Sequence, residues 1–202
     1  MKVLEVRDLA IGHGKEVLLD ELSFDVLRGE VFAVLGGSGC GKSTLLRTLI
    51  GLQPLLGGRV HFTGIGPPHK AMTPPRFGVL FQSAALFGSW TLLQNVALPL
   101  QKWTDLPKDA VDAVALARLR LVGLEGFAHH LPSEVSGGMR KRAGIARSLA
   151  LDPPLLFLDE PSAGLDPVTS AELDELGLTL ARSLSVTIVL VTHELASILH
   201  VA

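Results

Sequence analysis

The most informative stretch of this chain is Gly36-Gly37-Ser38-Gly39-Cys40-Gly41-Lys42-Ser43. Two glycines separated by four residues precede a lysine and a serine, a spacing that suits a loop wrapped around phosphate groups. The glycines let successive backbone N–H groups point at an anion. An apolar run at 31–35 precedes the stretch and a helical pattern at 44–50 follows it, so a helix N-terminus adds partial positive charge. The pattern predicts a binding site for a nucleoside triphosphate.

Residue types within this stretch fit that chemistry. Lys42 is predicted to reach the β- and γ-phosphates, and the Ser43 hydroxyl to ligate Mg²⁺. The other positions expected to contact the nucleotide are Gly36, Gly37, Ser38, Gly39, Cys40, Gly41 and Thr44. The alternative is a flexible glycine turn without a ligand, and the flanking strand and helix argue against it.

Composition and charge exclude several classes of protein. The 202-residue chain has a net charge of −2 and a pI near 6.4, so it lacks the basic surface typical of nucleic-acid binding. Its single cysteine, Cys40, excludes an internal disulfide and fits a reducing compartment. Residues 1–5 carry charges where a secretory signal needs an apolar core, so a cytoplasmic location is expected.

The mean hydropathy, +0.41, is high for a soluble chain. The longest run without charge lies between Arg76 and Lys102, but its polar residues and Pro99 would be costly in hydrocarbon. We therefore expect no transmembrane helix. The excess apolar surface, concentrated in residues 84–100, is expected to contact a partner.

The chain as a whole, 1–202, is predicted to be a single α/β domain. Short alternating stretches in residues 1–30, joined by 59–63, indicate antiparallel strands, whereas 64–75 indicate a loop. Residues 83–145 have a helical pattern, and the remainder alternates strands and helices. We expect a nucleotide-binding core with an antiparallel β part in 1–82 and 146–202, and a helical subdomain in 83–145.

Polar side chains follow each predicted core strand. These strands are 31–35, 77–81, 155–158 and 186–191. In open α/β sheets, ligands bind outside the carboxyl ends of the strands. A parallel sheet would therefore converge six side chains on one triphosphate: Lys42, Ser43, Gln82, Asp159, Glu160 and His193.

Two carboxylates in this set suit hydrolysis. Asp159 is expected to hold Mg²⁺ through water, and Glu160 to polarise the attacking water. Taken singly, Gln82 is more often a surface amide, His193 a structural histidine, and Asp159-Glu160 a solvated turn. Their convergence at one sheet edge favours the catalytic interpretation.

A further stretch, Ser136-Gly137-Gly138-Met139, allows a family to be named. With this stretch, the chain resembles the ATP-binding cassette ATPases, the nucleotide-binding subunits of ABC transporters. The other features that carry the resemblance are the phosphate loop, Gln82, the strand and carboxylates at 155–160, the segment 162–166 and His193. The resemblance covers essentially the whole chain and implies a P-loop core that binds and hydrolyses ATP with Mg²⁺. The implied metal ligands are Ser43, Gln82 and Asp159, and the implied catalytic residues are Lys42, Glu160 and His193.

In that family two cassettes enclose two ATP molecules head to tail, so the resemblance implies a homodimer. Ser136, Gly137 and Gly138 of one copy would contact the ATP held by the other. The sequence supports this, because Ser136 is a good N-cap for a helix predicted at 137–151, whose positive end suits a phosphate. Four basic residues of that helix are expected to lie in water: Arg140, Lys141, Arg142 and Arg147.

Two positions depart from the family pattern. Met139 stands where the family usually has glutamine. The aromatic residue that stacks on adenine is also missing, since the chain has no tyrosine, and His13 is the expected replacement. Both changes bear on adenine affinity and selectivity.

Met139 and the segments 80–87 and 94–100 resemble one branch of the family, the lipid-trafficking Mla or Mce-associated ATPases. This implies a cassette dimer, peripheral on the cytoplasmic face of the inner membrane, that drives two permease subunits moving phospholipid. It also implies an Mce-type substrate-binding protein, and a permease helix docked on residues 84–100.

Three alternatives stay open. They are a cassette for amino acids or another small solute, a soluble cassette outside transport, and a regulatory module without turnover. Family members usually continue beyond the final segment here, 194–202, which has the pattern of an unfinished helix. A C-terminally truncated cassette is therefore expected.

Overall fold

The computed structural model describes residues 1–37, 39–64, 66 and 75–193, and within them the chain forms two sheets. The first is antiparallel, with β1 (Lys2–His13) between β2 (Glu16–Leu27) and β4 (Gly57–Phe62). The second is parallel and consists of β3 (Val31–Leu35), β5 (Gly78–Leu80), β6 (Leu155–Asp159) and β7 (Thr187–Thr192). Its strand order is β3-β7-β6-β5. The α/β class with an antiparallel part is confirmed.

Five α-helices lie in the described part of the chain. They are α1 (Lys42–Leu49), α2 (Leu92–Trp103), α3 (Lys108–Leu121), α4 (Gly137–Ser148) and α5 (Pro167–Leu184). Ser136 caps α4, as predicted, and Asp166 caps α5, each accepting backbone N–H groups of the first turn. These helix starts follow directly from the sequence.

The parallel sheet is buried on both faces because β6 and β7 are apolar along most of their length. Leu156 and Leu158 pack into a cluster with residues of α2, α3, α4 and α5. Leu155 and Phe157 point to the opposite face, where they join α1 and the antiparallel sheet. The sheet therefore separates a helical layer from the antiparallel layer and holds the phosphate loop at its edge.

Several predicted boundaries differ from those observed. The short strands predicted in residues 1–30 form two long strands, β1 and β2, whose pairing shifts register at several points. Such β-bulges allow a strand to continue past an unpaired residue. The helix at 137–151 ends at Ser148, before Pro153 and Pro154, which cannot continue a helix. Most of the loop at 64–75 lies outside the described residues. Because α4 runs across residue 145, the boundary of the helical subdomain stays a prediction.

None of the described helices is long and apolar enough to cross a membrane.

Candidate nucleotide site

The phosphate loop is held together by its own lysine. The Lys42 side chain is buried, and its Nζ donates to the carbonyl oxygens of Gly36 and Gly37, each at 2.8 Å. Gly41, immediately before α1, has a φ of +99°, which side chains other than glycine rarely adopt. The loop therefore leads into the N-terminus of α1 as the motif requires, although Ser38 lies outside the described residues.

A cavity of about 440 Å³ opens beside this loop. Its lining consists of His13, Leu18, Gly39, Gly41, Lys42, Ser43, Thr44, Gln82 and Glu160. All of these except Leu18 are residues that the sequence assigns to the site. The volume is within the usual range for a small-ligand pocket.

Glu160 is the point where the predicted catalytic side chains meet. Its Oε1 lies 3.2 Å from Nδ1 of His193 and 3.6 Å from Nζ of Lys42. Its Oε2 accepts a hydrogen bond from Nε2 of Gln82 at 3.4 Å. The backbone of Glu160 has a φ of +46°, a strained conformation for a non-glycine residue that is often found at functional sites.

Ser43 and Asp159 form the second pair at this edge. The Ser43 hydroxyl donates to Oδ1 of Asp159 at 3.1 Å. Burial raises the pKa of Asp159, and the bond from Ser43 opposes that shift. Hydroxyl and carboxylate oxygens are the ligands that Mg²⁺ prefers, so this pair fits the implied ion. Among residues 1–37, 39–64, 66 and 75–193, no group of three acidic, histidine or cysteine side chains suits a metal.

The start of α4 lies apart from this cavity. Ser136 is exposed and its Oγ accepts the backbone N–H of Met139 at 3.2 Å. At Gly138 an added Cβ would lie 2.4 Å from Cγ2 of Thr169, so the glycine permits close packing on α5. Neither Ser136 nor Gly137 nor Gly138 lines the cavity. The structure does not bring these three residues to the phosphate loop of the same chain.

His13 lies at the rim of the cavity. It is the last residue of β1, and its Nδ1 is 3.4 Å from Nε2 of Gln53. The same amide nitrogen donates to the Gly12 carbonyl at 2.5 Å. The imidazole therefore lines the same cavity as the phosphate loop.

The expectation that the basic residues of α4 lie in water is wrong for Lys141, which is buried, while Arg142 and Arg147 are half-buried and Arg140 is exposed. Lys141 is 6% exposed, and its Nζ donates to the carbonyl oxygens of Gln82 and Glu160. Arg147 donates to the carbonyls of Ala84 and Ala85. Arg140 likewise donates to the carbonyls of Pro132 and Val135, and Arg142 pairs with Glu172.

The position of Lys141 within the helix could have predicted that its side chain is buried. It lies three residues after Gly138 and four before Ile145, on a face where both neighbours are buried. Residues three and four apart share one face of a helix. A lysine on this buried face therefore makes its hydrogen bonds to other groups of the protein and not to water.

Sequence comparison places these features in a known family. The family model for "ABC transporter" matches residues 19–163, more than half of the chain. The probable ribonucleotide transport ATP-binding protein mkl of Mycobacterium leprae is 42% identical over 195 residues, which are 94% of this chain. The intermembrane phospholipid transport system ATP-binding protein MlaF of Escherichia coli K12 is 38% identical over 205 residues and 99% of this chain. The chain spans 56% of the length of mkl and 76% of that of MlaF.

Solved structures agree with this assignment. The ATP-binding cassette MJ0796, in a dimeric post-hydrolysis state bound to ADP and Pi, superposes with a TM-score of 0.82. It is 29% identical, over 96% of this chain and 89% of that one. A putative metal-chelate type ABC transporter in an inward-facing conformation gives a TM-score of 0.84 at 28% identity, over 100% of this chain and 77% of that one. This chain belongs to the ABC transporter family.

Proposed function

We propose that the chain binds ATP and hydrolyses it, with Glu160 as the general base. The observation that carries this proposal is the meeting of Gln82, His193 and Lys42 on the Glu160 carboxylate, beside the phosphate loop. A carboxylate that accepts from an amide and faces two basic groups is fixed in orientation, which general-base chemistry requires.

The phosphates are proposed to bind where the loop meets α1. Lys42 and the backbone N–H groups of Gly36–Thr44 donate to phosphate oxygens, as charge-assisted hydrogen bonds. The proposed Mg²⁺ ligands are Ser43, Asp159 and Gln82; the ion, when bound, neutralises charge on the β- and γ-phosphates. His13 is proposed to contact the adenine, since it lies at the rim of the cavity.

Hydrolysis then needs one proton acceptor near the γ-phosphate. In the proposed step, the oxygen of a water molecule bonds to the γ-phosphorus while the bond to the bridging oxygen breaks. Glu160 accepts a proton from that water, and ADP and phosphate leave. His193 holds Oε1 of Glu160 at 3.2 Å and so keeps the carboxylate aimed at the water.

We propose that a second copy of the chain completes each site. Ser136, Gly137 and Gly138 lie at the N-terminus of α4 but do not line this chain's own cavity. A helix N-terminus with an exposed serine cap suits a phosphate, so these residues are available to nucleotide held by another copy. The related cassette MJ0796 is a dimer, which supports the homodimer.

We further propose that the ATPase dimer powers two permease subunits that move phospholipid. The relative MlaF belongs by name to an intermembrane phospholipid transport system. In this chain Met139 packs against the helical core, which agrees with an apolar residue at that position. An Mce-type partner and a location on the cytoplasmic face of the membrane are parts of the same proposal. The relative mkl is named for ribonucleotide transport, so a small-solute transporter is the second candidate.

The proposed permease contact is an aromatic pair, the exposed Phe87 and the half-buried Trp90. Their rings stack with centroids 4.8 Å apart, and Phe87 is 49% exposed. The buried Asn95 holds the turn between them. Its side-chain amide donates to the carbonyls of Phe87, Trp90 and Thr91, and its Oδ1 accepts the Phe87 N–H. The pair is therefore a fixed apolar surface on the segment that follows Gln82 in the sequence.

Replacing Phe87 with glutamate is expected to abolish copurification with the permease while ATP binding and folding persist. A charge at the centre of an apolar contact is left without water or a partner. The measurement is affinity copurification of the ATPase with the membrane protein encoded beside it, followed by lipid transfer between vesicles in the reconstituted complex.

Leu106→Glu is the matched control. Leu106 is 44% exposed and lies beyond the opposite end of α2, so this variant is expected to assemble normally. A Phe87→Glu complex that still forms and transports lipid would contradict the docking proposal. A wild-type complex that transports ribonucleotide and no lipid would favour the second candidate.

A further inference from the structure

Lys141 is a buried cation that the proposed chemistry does not use. It lies on the inner face of α4 and is 6% exposed. Its Nζ donates to the backbone carbonyl of Gln82 at 2.5 Å and to that of Glu160 at 3.1 Å. One side chain therefore bridges the two loops that carry the amide and the carboxylate of the nucleotide site.

Packing of α4 against its neighbours does not by itself require a lysine at position 141. Burial removes water from the ammonium group and lowers the pKa of Lys141, while the nearby charges of Asp159 and Glu160 act in the opposite direction. A buried charge is unfavourable unless it is paired and hydrogen-bonded. An unbranched apolar side chain would fill the same space without that penalty. The bonds to Gln82 and Glu160 are what the ammonium group adds.

On one side, Lys141 acts on a strained backbone. Glu160 has a φ of +46°, a conformation that persists only where neighbouring groups enforce it. Its N–H donates to the Val191 carbonyl at 2.8 Å, and its carbonyl accepts from the Ala163 N–H at 3.2 Å as well as from Lys141. The φ of this residue decides where its carboxylate points, so the groups that fix the backbone also fix the general base.

On the other side, α4 holds the loop that follows Gln82. Ala84 and Ala85 have φ values of +60° and +49°, and Arg147 donates to the carbonyl of each at 2.7 Å. At Gly144 an added Cβ would lie 2.5 Å from Cδ1 of Leu80, so the helix lies directly against β5. Of the two cations that bind this loop, Lys141 is the one that also reaches Glu160.

We propose that Lys141 is a positioning residue for ATP hydrolysis: its ammonium group ties α4 to the backbone of Gln82 and Glu160 and thereby orients the Glu160 carboxylate. The inference rests on the proposed role of Glu160 as general base. Because α4 begins at the Ser136 cap, Lys141 also connects the residues proposed to reach the other copy's nucleotide with the base of this chain's own site.

The test is a set of kinetic constants for Lys141→Met, which keeps the length of the side chain and removes its donors. We expect kcat for ATP hydrolysis to fall by at least about tenfold, with KM for ATP within about twofold of wild type, since the lost interaction acts on the base and not on binding. Lys141→Arg, which retains N–H donors, is expected to recover most of the rate. The matched control is Arg142→Met, because the adjacent Arg142 pairs with Glu172 and touches neither loop.

A double-variant cycle separates positioning from a general loss of structure. In a Glu160→Gln background, Lys141→Met is expected to change the residual rate by less than about twofold, because residues acting as one unit are not additive. A further tenfold loss there would overturn the inference. So would a folded Lys141→Met protein with wild-type kcat.

Three further results of these experiments would each decide between the role of Lys141 and the proposed function. If Lys141→Met fails to fold, Lys141→Gln replaces it in the same measurements, and unfolding of both variants overturns the inference by showing a role in the fold alone. If Glu160→Gln alone hydrolyses ATP at the wild-type rate, the proposed function fails at its general base. If Glu160→Gln is inactive while Lys141→Met is fully active, only the role of Lys141 fails.

Discussion

Replacing Glu160 with glutamine is expected to leave ATP binding intact and to lower the rate of hydrolysis by about 10²–10⁴-fold, the usual contribution of a general base. The amide keeps the size of the side chain and can still contact Gln82 and His193, which lie 3.4 Å and 3.2 Å from the carboxylate oxygens. What it loses is the ability to accept a proton from water. Binding and turnover should therefore separate in this one variant.

The separation is measured by single-turnover hydrolysis and by the amount of ATP that stays bound after gel filtration. We expect the variant to accumulate as a dimer with ATP retained, since the step that releases the two copies is blocked. Glu175→Gln, on the exposed side of α5, is the control and should hydrolyse ATP normally. Near-normal turnover by Glu160→Gln would remove Glu160 from the mechanism.

Replacing Lys42 with methionine is expected to weaken ATP binding by about tenfold to a hundredfold, the size of a lost charge-assisted hydrogen bond. The ammonium group also donates to the carbonyls of Gly36 and Gly37, so the loop loses a contact that holds its shape. Equilibrium binding of labelled ATP measures the effect. Lys108→Met removes an exposed lysine paired with Asp112 and should bind as wild type. Unchanged affinity in Lys42→Met would contradict the assignment of the phosphate loop.

Much of the fold could be predicted because its strongest signals are local. The apolar runs of β6 and β7 indicate a buried parallel sheet, and the polar residues at their carboxyl ends indicate the ligand edge. Likewise Ser136 and Asp166 predict the starts of α4 and α5. In each case, nearby residues in the sequence are enough to predict the strand or the helix start.

The features that could not be predicted depend on residues far apart in the chain. Lys141 meets Gln82 and Glu160 across 59 and 19 positions of sequence, and a lysine in a run of basic residues is usually solvated. Glu160 has a positive φ, and its N–H donates to the carbonyl of the distant Val191, a contact that no local pattern encodes. Single-residue propensities carry no information about such tertiary contacts.

The central claim is that two copies share each ATP site, the phosphate loop coming from one copy and Ser136 from the other. The direct test is to mix the variants Lys42→Met and Ser136→Arg, at an ATP concentration at which neither variant alone hydrolyses ATP, and to measure ATP hydrolysis. If sites are shared, each mixed dimer has one site with both changes and one site with neither. Random pairing in a two-fold dimer then restores about a quarter of the wild-type sites. Activity that stays at the level of the separate variants would contradict the shared site.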